Sequence, residues 1–327
     1  ARSAAISHAR ANPRASALPW LLTEIPPSPS RTPPLTLLGS IRDFSRFSPF
    51  MASTAPALDI RLSVNASRIW LASIRATENA FGLEPSEQTR ILRLLLKHME
   101  TLQSHLLHLY FLVAPDYLGA GSVLPLIETR PDEVQRAARL KLLANDACDL
   151  IGGRRLHPTR TVVGGFTMLP EKAELNLLRQ RLVAALADLD RTADLFASFT
   201  VPGFTRETEF VSLRGENDYP FIGGDLMSSD GVRKKEHEYE QMSNEYAVAQ
   251  STAKWSRLSR SSFAVGALAR VNNNFHLLHP RAREVAERLR LAPVVHNPFL
   301  HPAAQLVECV HVAADAAELV ERLLAMD

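Results

Sequence analysis

Three histidines lie in one stretch whose apolar pattern predicts a long helix. His105 and His108 are three positions apart, and His98 precedes His105 by seven. These spacings place side chains on one face of a helix, where imidazoles bind metals in some helical bundles. A metal site also needs further ligands, commonly Glu or Cys from a facing helix, and the sequence offers no obvious set. We therefore interpret the three as buried, hydrogen-bonded core histidines and predict no metal site.

Two glycine-rich stretches have the residue types of a phosphate cradle. They are the basic run from Gly152 to Pro158 and the pair Gly164-Gly165. Neither GxGxxG nor Gly-Lys-Ser/Thr follows a predicted strand, so we interpret the first as a tight basic connection packed against the bundle. Gly-x-Ser-x-Gly and Cys-x-x-Cys are also absent from the 327 residues. The sequence therefore assigns no catalytic and no cofactor-binding residue.

The chain has two cysteines, Cys148 and Cys309, which are far apart in the sequence. A secreted disulfide scaffold carries more cysteines at regular spacing, so this usage indicates a reducing compartment, and we predict a cytoplasmic protein. Each cysteine has apolar neighbours on a predicted helix. We interpret both as small buried side chains.

The overall composition excludes several classes of partner. The 37 basic and 35 acidic side chains give a formal net charge of +2, too balanced for a protein whose main partner is nucleic acid. Apolar runs stay below the roughly 18–20 residues that span a bilayer, so we predict no membrane span.

Residues 1–50 differ from the rest of the chain. They hold eight of the 21 prolines and six arginines but no lysine. Prolines at this density prevent a helix or a central strand. We predict a disordered or non-native leader over residues 1–50 and a helical domain over 51–327.

Hydrophobic periodicity after residue 50 predicts a mainly α fold. Alternation over 58–64 predicts a strand, and short strands separated by glycine turns are predicted between 207 and 235. The predicted fold is a long-helix bundle with a small antiparallel β insertion. Helices are predicted at 68–81, 85–113, 131–151, 171–199, 236–248, 263–272, 281–290 and 300–326.

Several segments, taken in order, resemble the large subunit of nickel–iron hydrogenases, in the branch with cytoplasmic members. The resemblance extends over about 70–326. Its segments are IRATENAFG at 74–82, QSHLLHLY at 103–110, APDY at 114–117, GGRRLHP at 152–158, VGGF at 163–166, SSDG at 228–231, VGALAR at 265–270 and HNPF at 296–299.

The resemblance implies a helical-bundle fold and the reversible conversion of hydrogen into protons and electrons. It also implies a nickel–iron centre held by two Cys-x-x-Cys pairs, and an iron–sulfur small subunit as partner. Soft thiolate ligands bind nickel and iron well because they coordinate as anions. Here Arg68-Ile69 continues directly into Trp70 where the first pair is expected, and no second pair follows.

We therefore expect a truncated relative of the family that is inactive as written and holds no cofactor of its own. A truncated bundle is also expected to leave apolar surface uncovered along 86–113 and 300–326. The alternative is a catalytically silent helical subunit that binds a partner protein or, as a weaker option, a quinone.

Overall fold

The computed structural model describes residues 60–242 and 244–326, with the backbone alone over 60–69. The leader predicted over residues 1–50 lies outside the described residues. The helices are α1 (Ile60–Phe81), α2 (Glu87–Leu107), α3 (Ala114–Tyr117), α4 (Leu126–Thr129), α5 (Pro131–Gly152), α6 (Lys172–Ala197), α7 (Ala267–Asn274), α8 (Pro280–Arg288) and α9 (His301–Leu324). The strands are β1 (Thr161–Val162), β2 (Gly165–Phe166), β3 (Glu209–Arg214), β4 (Asp225–Ser228), β5 (Arg233–Lys234), β6 (Asn244–Tyr246), β7 (Trp255–Arg257) and β8 (Phe263–Ala264).

Helix α2 lies at the centre of the bundle, as its apolar circumference predicts. The Ser86 side chain caps the helix by accepting a hydrogen bond from the Thr89 N–H. Leu95, Met99 and Leu102 are completely buried. Each such side chain stabilises the fold by about 1.5–3 kcal/mol relative to exposure.

The same helical path continues beyond α2 and corrects the predicted end at Val113. A π-helical segment spans His108–Val113, and α3 then carries the path to Tyr117. Pro115 is tolerated because it stands in the first turn of α3, where its missing N–H is not needed within that helix.

Helix α9 joins the main helices into one core. It contacts α2, α6, α7 and α8, while α2 also packs against α5. Most residues of α9 between Ala303 and Val320 are buried, and most of α2 is buried as well. The expectation of uncovered apolar surface along these two helices is therefore wrong for most of their length.

The strand predicted over 58–64 is also wrong, because α1 begins at Ile60. A short alternation does not separate a period of 2 from one of 3.6. A strand also needs a hydrogen-bonded partner, and within the described ranges none pairs with this segment. The end of α1 agrees with the prediction, since Gly82 adopts a φ of +64°.

The β insertion is a four-stranded sheet with the order β5-β4-β3-β8. Strands β3 and β4 are antiparallel, with Val211 opposite Ser228, whereas β3 and β8 run parallel. The sheet is therefore mixed rather than purely antiparallel. The helix predicted over 236–248 is a short 3₁₀ turn, Glu236–Gln241, followed by the β6–β7 hairpin.

The described helices include none that is long and apolar enough to cross a membrane.

Candidate functional site

A cavity of about 340 Å³ opens where α1, α2, β3 and α7 meet. Its apolar wall includes Leu71 and Phe221, and its polar wall includes Arg75, Lys97 and Arg270. Apolar walls with a few converging polar groups are typical of ligand sites.

Carboxylates pair with Arg75, Lys97 and Arg270 at this cavity. Arg75 donates two hydrogen bonds to Glu236, at 2.7 and 2.8 Å, which ties α1 to the 3₁₀ turn. The Arg270 guanidinium lies 5.4 Å from the centre of the Phe221 ring and turns its donors inward to Glu308. The cavity therefore opens onto a buried charge network.

Glu308 is the centre of this network. Its side chain is completely buried in α9, and both carboxylate oxygens accept hydrogen bonds. Arg270 donates to both oxygens at 2.7 and 2.8 Å, Tyr219 donates to Oε1 at 2.7 Å, and His105 Nε2 donates to Oε2 at 2.7 Å. Four donors around one carboxylate satisfy the buried charge.

The electrostatics of the network follow from burial and pairing. Burial alone would raise the pKa of Glu308, but the Arg270 charge and its hydrogen bonds hold that pKa far below its usual range. Burial and the neighbouring Glu308 charge raise the pKa of Tyr219 well above that of a free tyrosine. At neutral pH the network therefore contains a carboxylate, a guanidinium and a neutral phenol.

The three predicted helical histidines do not share one site. His105 binds Glu308, whereas His108 Nδ1 donates to the Gln305 side-chain oxygen at 2.6 Å. His98 and His105 are buried and hydrogen-bonded, as predicted, while His108 is half-buried.

His98 belongs to a second cluster, with His311 and Asp315 of α9. His98 Nε2 donates to Asp315 Oδ2 at 2.5 Å. The Tyr219 ring lies 4.8 Å from the His311 ring, centre to centre, and thereby connects this cluster to the Glu308 network.

The glycine-rich stretches contact side chains inside the bundle. The Gly164 N–H donates at 2.7 Å to Glu78, which also pairs with Arg93 at 2.6 Å inside the bundle. A Cβ at Gly152 would lie 2.8 Å from the Pro158 Cβ and 3.3 Å from a methyl group of Leu96. The predicted tight connection packed against α2 is confirmed.

Sequence reasoning missed Arg270, Tyr219, Glu308, His311 and Asp315. A signal for the last three was present in the helix predicted over 300–326. Positions 308, 311 and 315 are spaced by three and four, so they share one helix face, and polar residues on that face interrupt an otherwise apolar helix. Tyr219 and Arg270 come from a loop and from α7, and no local spacing relates them to Glu308.

The architecture places the chain in a known class of folds. It matches a solved NAD⁺-reducing [NiFe]-hydrogenase in the H2-reduced state with a TM-score of 0.63 at 21% identity, covering 75% of this chain and 61% of that one. It matches the Ni-Fe-Se hydrogenase from Desulfomicrobium baculatum with a TM-score of 0.53 at 14% identity, covering 74% and 64%. The fold is therefore that of hydrogenase large subunits.

Sequence comparisons point to the same class of proteins. Residues 64–141 match the family model for nickel-dependent hydrogenase. The chain is 35% identical to Sulfhydrogenase 1 subunit alpha of Pyrococcus furiosus over 259 residues, 78% of this chain and 60% of that protein. It is 29% identical to Sulfhydrogenase 2 subunit alpha of the same organism over 258 residues, 78% and 59%. The chain is similar to the large subunits of nickel-dependent hydrogenases, and it spans about 60% of the length of these relatives.

The two cysteines of this chain do not fit a nickel–iron centre. Cys148 in α5 and Cys309 in α9 are both completely or almost completely buried among apolar side chains. Burial raises the pKa of each thiol far above its usual value, so both stay protonated at neutral pH. Metal binding requires thiolates, and four of them are expected for this centre. These side chains are core residues, as predicted from their apolar surroundings.

Proposed function

We propose that this chain forms the helical scaffold of a hydrogenase large subunit and does not itself hold a nickel–iron centre. The observation that carries the proposal is the combination of similarity to this family with only two cysteines, both buried as thiols. The chemistry of the family is reversible hydrogen oxidation, and we propose that these 327 residues alone do not perform it.

The scaffold role is supported by where the buried charges lie. The Glu308 network fixes α9, α7 and α2 around the cavity, because its donors come from α7, α2 and the loop before β4. A wall of fixed charges and apolar groups is what a preorganised site requires. The cavity therefore supplies surroundings for a metal centre without supplying its ligands.

We further propose that the partner is an iron–sulfur small subunit, in a cytoplasmic complex. The apolar side chains of Phe81 and Leu83 are exposed at and beyond the end of α1, to 73% and 45%. Exposed large apolar groups close together favour a protein interface. The silent partner-binding subunit remains the alternative, and quinone binding is the weaker form of it.

The test measures nickel and hydrogen turnover on the purified 327-residue chain, expressed with nickel and iron supplied. We expect no hydrogen-dependent reduction of an artificial electron acceptor. X-ray absorption is expected to show no nickel–sulfur coordination, because no thiolate pair is available. The matched control is the Cys148→Ala/Cys309→Ala chain, which should give the same spectrum.

Nickel bound through sulfur at one atom per chain, and lost in the cysteine-free control, would contradict the proposal. Nickel bound through nitrogen alone would not, since histidines bind this metal as well.

A further inference from the structure

The His98, His311 and Asp315 side chains meet between two facing helices. His98 lies on α2, and His311 and Asp315 lie one helical turn apart on α9. One potential ligand atom from each residue lies within 4.8 Å of the other two. His98 and Asp315 are 217 positions apart, so the tertiary fold alone creates the cluster.

We propose that these three side chains bind one divalent cation of the zinc class, which links α2 to α9. The proposal does not depend on the scaffold role.

Burial favours a specific site over chance proximity. The side chains of His98 and His311 are nine-tenths or more buried, whereas the Asp315 side chain is 31% exposed. In a zinc site with three protein ligands, a water molecule takes the fourth position. Two buried histidines and one ligand that reaches solvent suit this arrangement. Asp315 marks the side from which a cation and its water can enter.

A second observation is an unsatisfied nitrogen. His98 Nδ1 is buried without a hydrogen-bond partner, while Nε2 is used by Asp315. Buried polar atoms are rarely left unpaired. Because Asp315 reaches only Nε2, the metal binds at Nε2 in place of the shared proton, and that proton moves to Nδ1, where no other donor or acceptor competes with it.

The donor set selects the class of metal. Two imidazoles and one carboxylate suit zinc and similar divalent transition metals, whereas calcium and magnesium prefer oxygen ligands and copper(I) prefers sulfur. The Phe221 ring lies 5.3 Å from the His98 ring, and the Tyr219 ring lies 4.8 Å from the His311 ring. Such apolar surroundings exclude water and strengthen coordination.

Binding also requires a rearrangement at His311, which gives an independent readout. His311 Nδ1 accepts a hydrogen bond from the His279 N–H at 3.0 Å, so Nε2 is the nitrogen left for a metal. Coordination at Nε2 moves the ring proton to Nδ1, and the hydrogen bond from His279 is then lost. Metal binding should therefore speed hydrogen exchange at the His279 amide while it slows exchange along α2 and α9.

The experiment titrates the chelator-treated, metal-free 327-residue chain with zinc in equilibrium dialysis, and with cobalt(II) as a spectroscopic probe. We expect one zinc per chain and visible cobalt absorption typical of nitrogen and oxygen ligands. His311→Ala and Asp315→Asn should each weaken zinc binding at least about tenfold. The matched control is His276→Ala, which removes an exposed histidine and should leave the affinity unchanged.

Equal zinc affinity in the wild-type chain and in Asp315→Asn would overturn the proposal, because binding would then come from surface groups. Unchanged exchange at the His279 amide in the presence of zinc would also overturn it. Asp315→Asn keeps the size of a partly exposed side chain, so the test survives if His311→Ala fails to fold.

Discussion

Neutralising Glu308 should strongly destabilise the fold. Glu308→Gln keeps the shape of the side chain but leaves the Arg270 guanidinium inside the protein without its counter-charge, and it turns an amide donor toward groups that donate themselves. Removing one partner of a buried ion pair costs about 3–5 kcal/mol. Because the Arg270 side chain is 17% exposed, we expect the lower end, about 3 kcal/mol.

The assay is equilibrium urea denaturation at pH 7, followed by circular dichroism, which gives the free energy of unfolding. The control is Glu321→Gln on the same helix, since Glu321 is 67% exposed and its pairing with Arg179 spans 3.3 Å. That exposed pair should contribute less than about 1 kcal/mol. A loss below about 1 kcal/mol for Glu308→Gln would refute the view that this carboxylate holds α7, α2 and α9 together.

Two further predictions concern the core and its pH dependence. Leu95→Ala should lower the free energy of unfolding by about 2–5 kcal/mol, because Leu95 is completely buried in α2. The control Leu177→Ala, at a position 53% exposed, should change it by less than about 0.5 kcal/mol. Equal losses for the two variants in the same urea assay would contradict the assignment of Leu95 to the core. Burial lowers the pKa of Lys141 to about 8, from an ordinary value of 10.5. Between these two pH values the unfolded chain keeps a proton on Lys141 that the folded chain has released. Stability relative to Lys141→Met should therefore rise by up to about 3 kcal/mol as the pH increases through this window, and a pH-independent difference between the two proteins would be evidence against the buried charge.

Much of the helical architecture could be predicted from periodicity because long helices carry many repeats. The signals for α2 include Ser86 at the cap and apolar residues on every side, and both agree with the structure. The predictions failed where a segment was short. The alternation over 58–64 and the apolar residues over 236–248 hold too few repeats to separate strand from helix.

The buried networks were harder to predict because their members come from distant segments. His105 and Glu308 are 203 positions apart, and their contact depends on how α9 packs against α2. Local spacing could indicate that His98 and His105 lie on one helix, but it could not indicate that they face different carboxylates. The buried state of Cys148 was predictable because its neighbours on α5 are themselves apolar.

The scaffold proposal can be tested by hydrogen–deuterium exchange between H2 and D2O, measured by mass spectrometry on the purified chain with an iron–sulfur small subunit present. We expect a stable complex with no HD above the level in buffer, because the scaffold is present and the four thiolates are not. HD formation that depends on the chain, whether or not it persists after its two cysteines are replaced by alanine, would contradict the scaffold proposal.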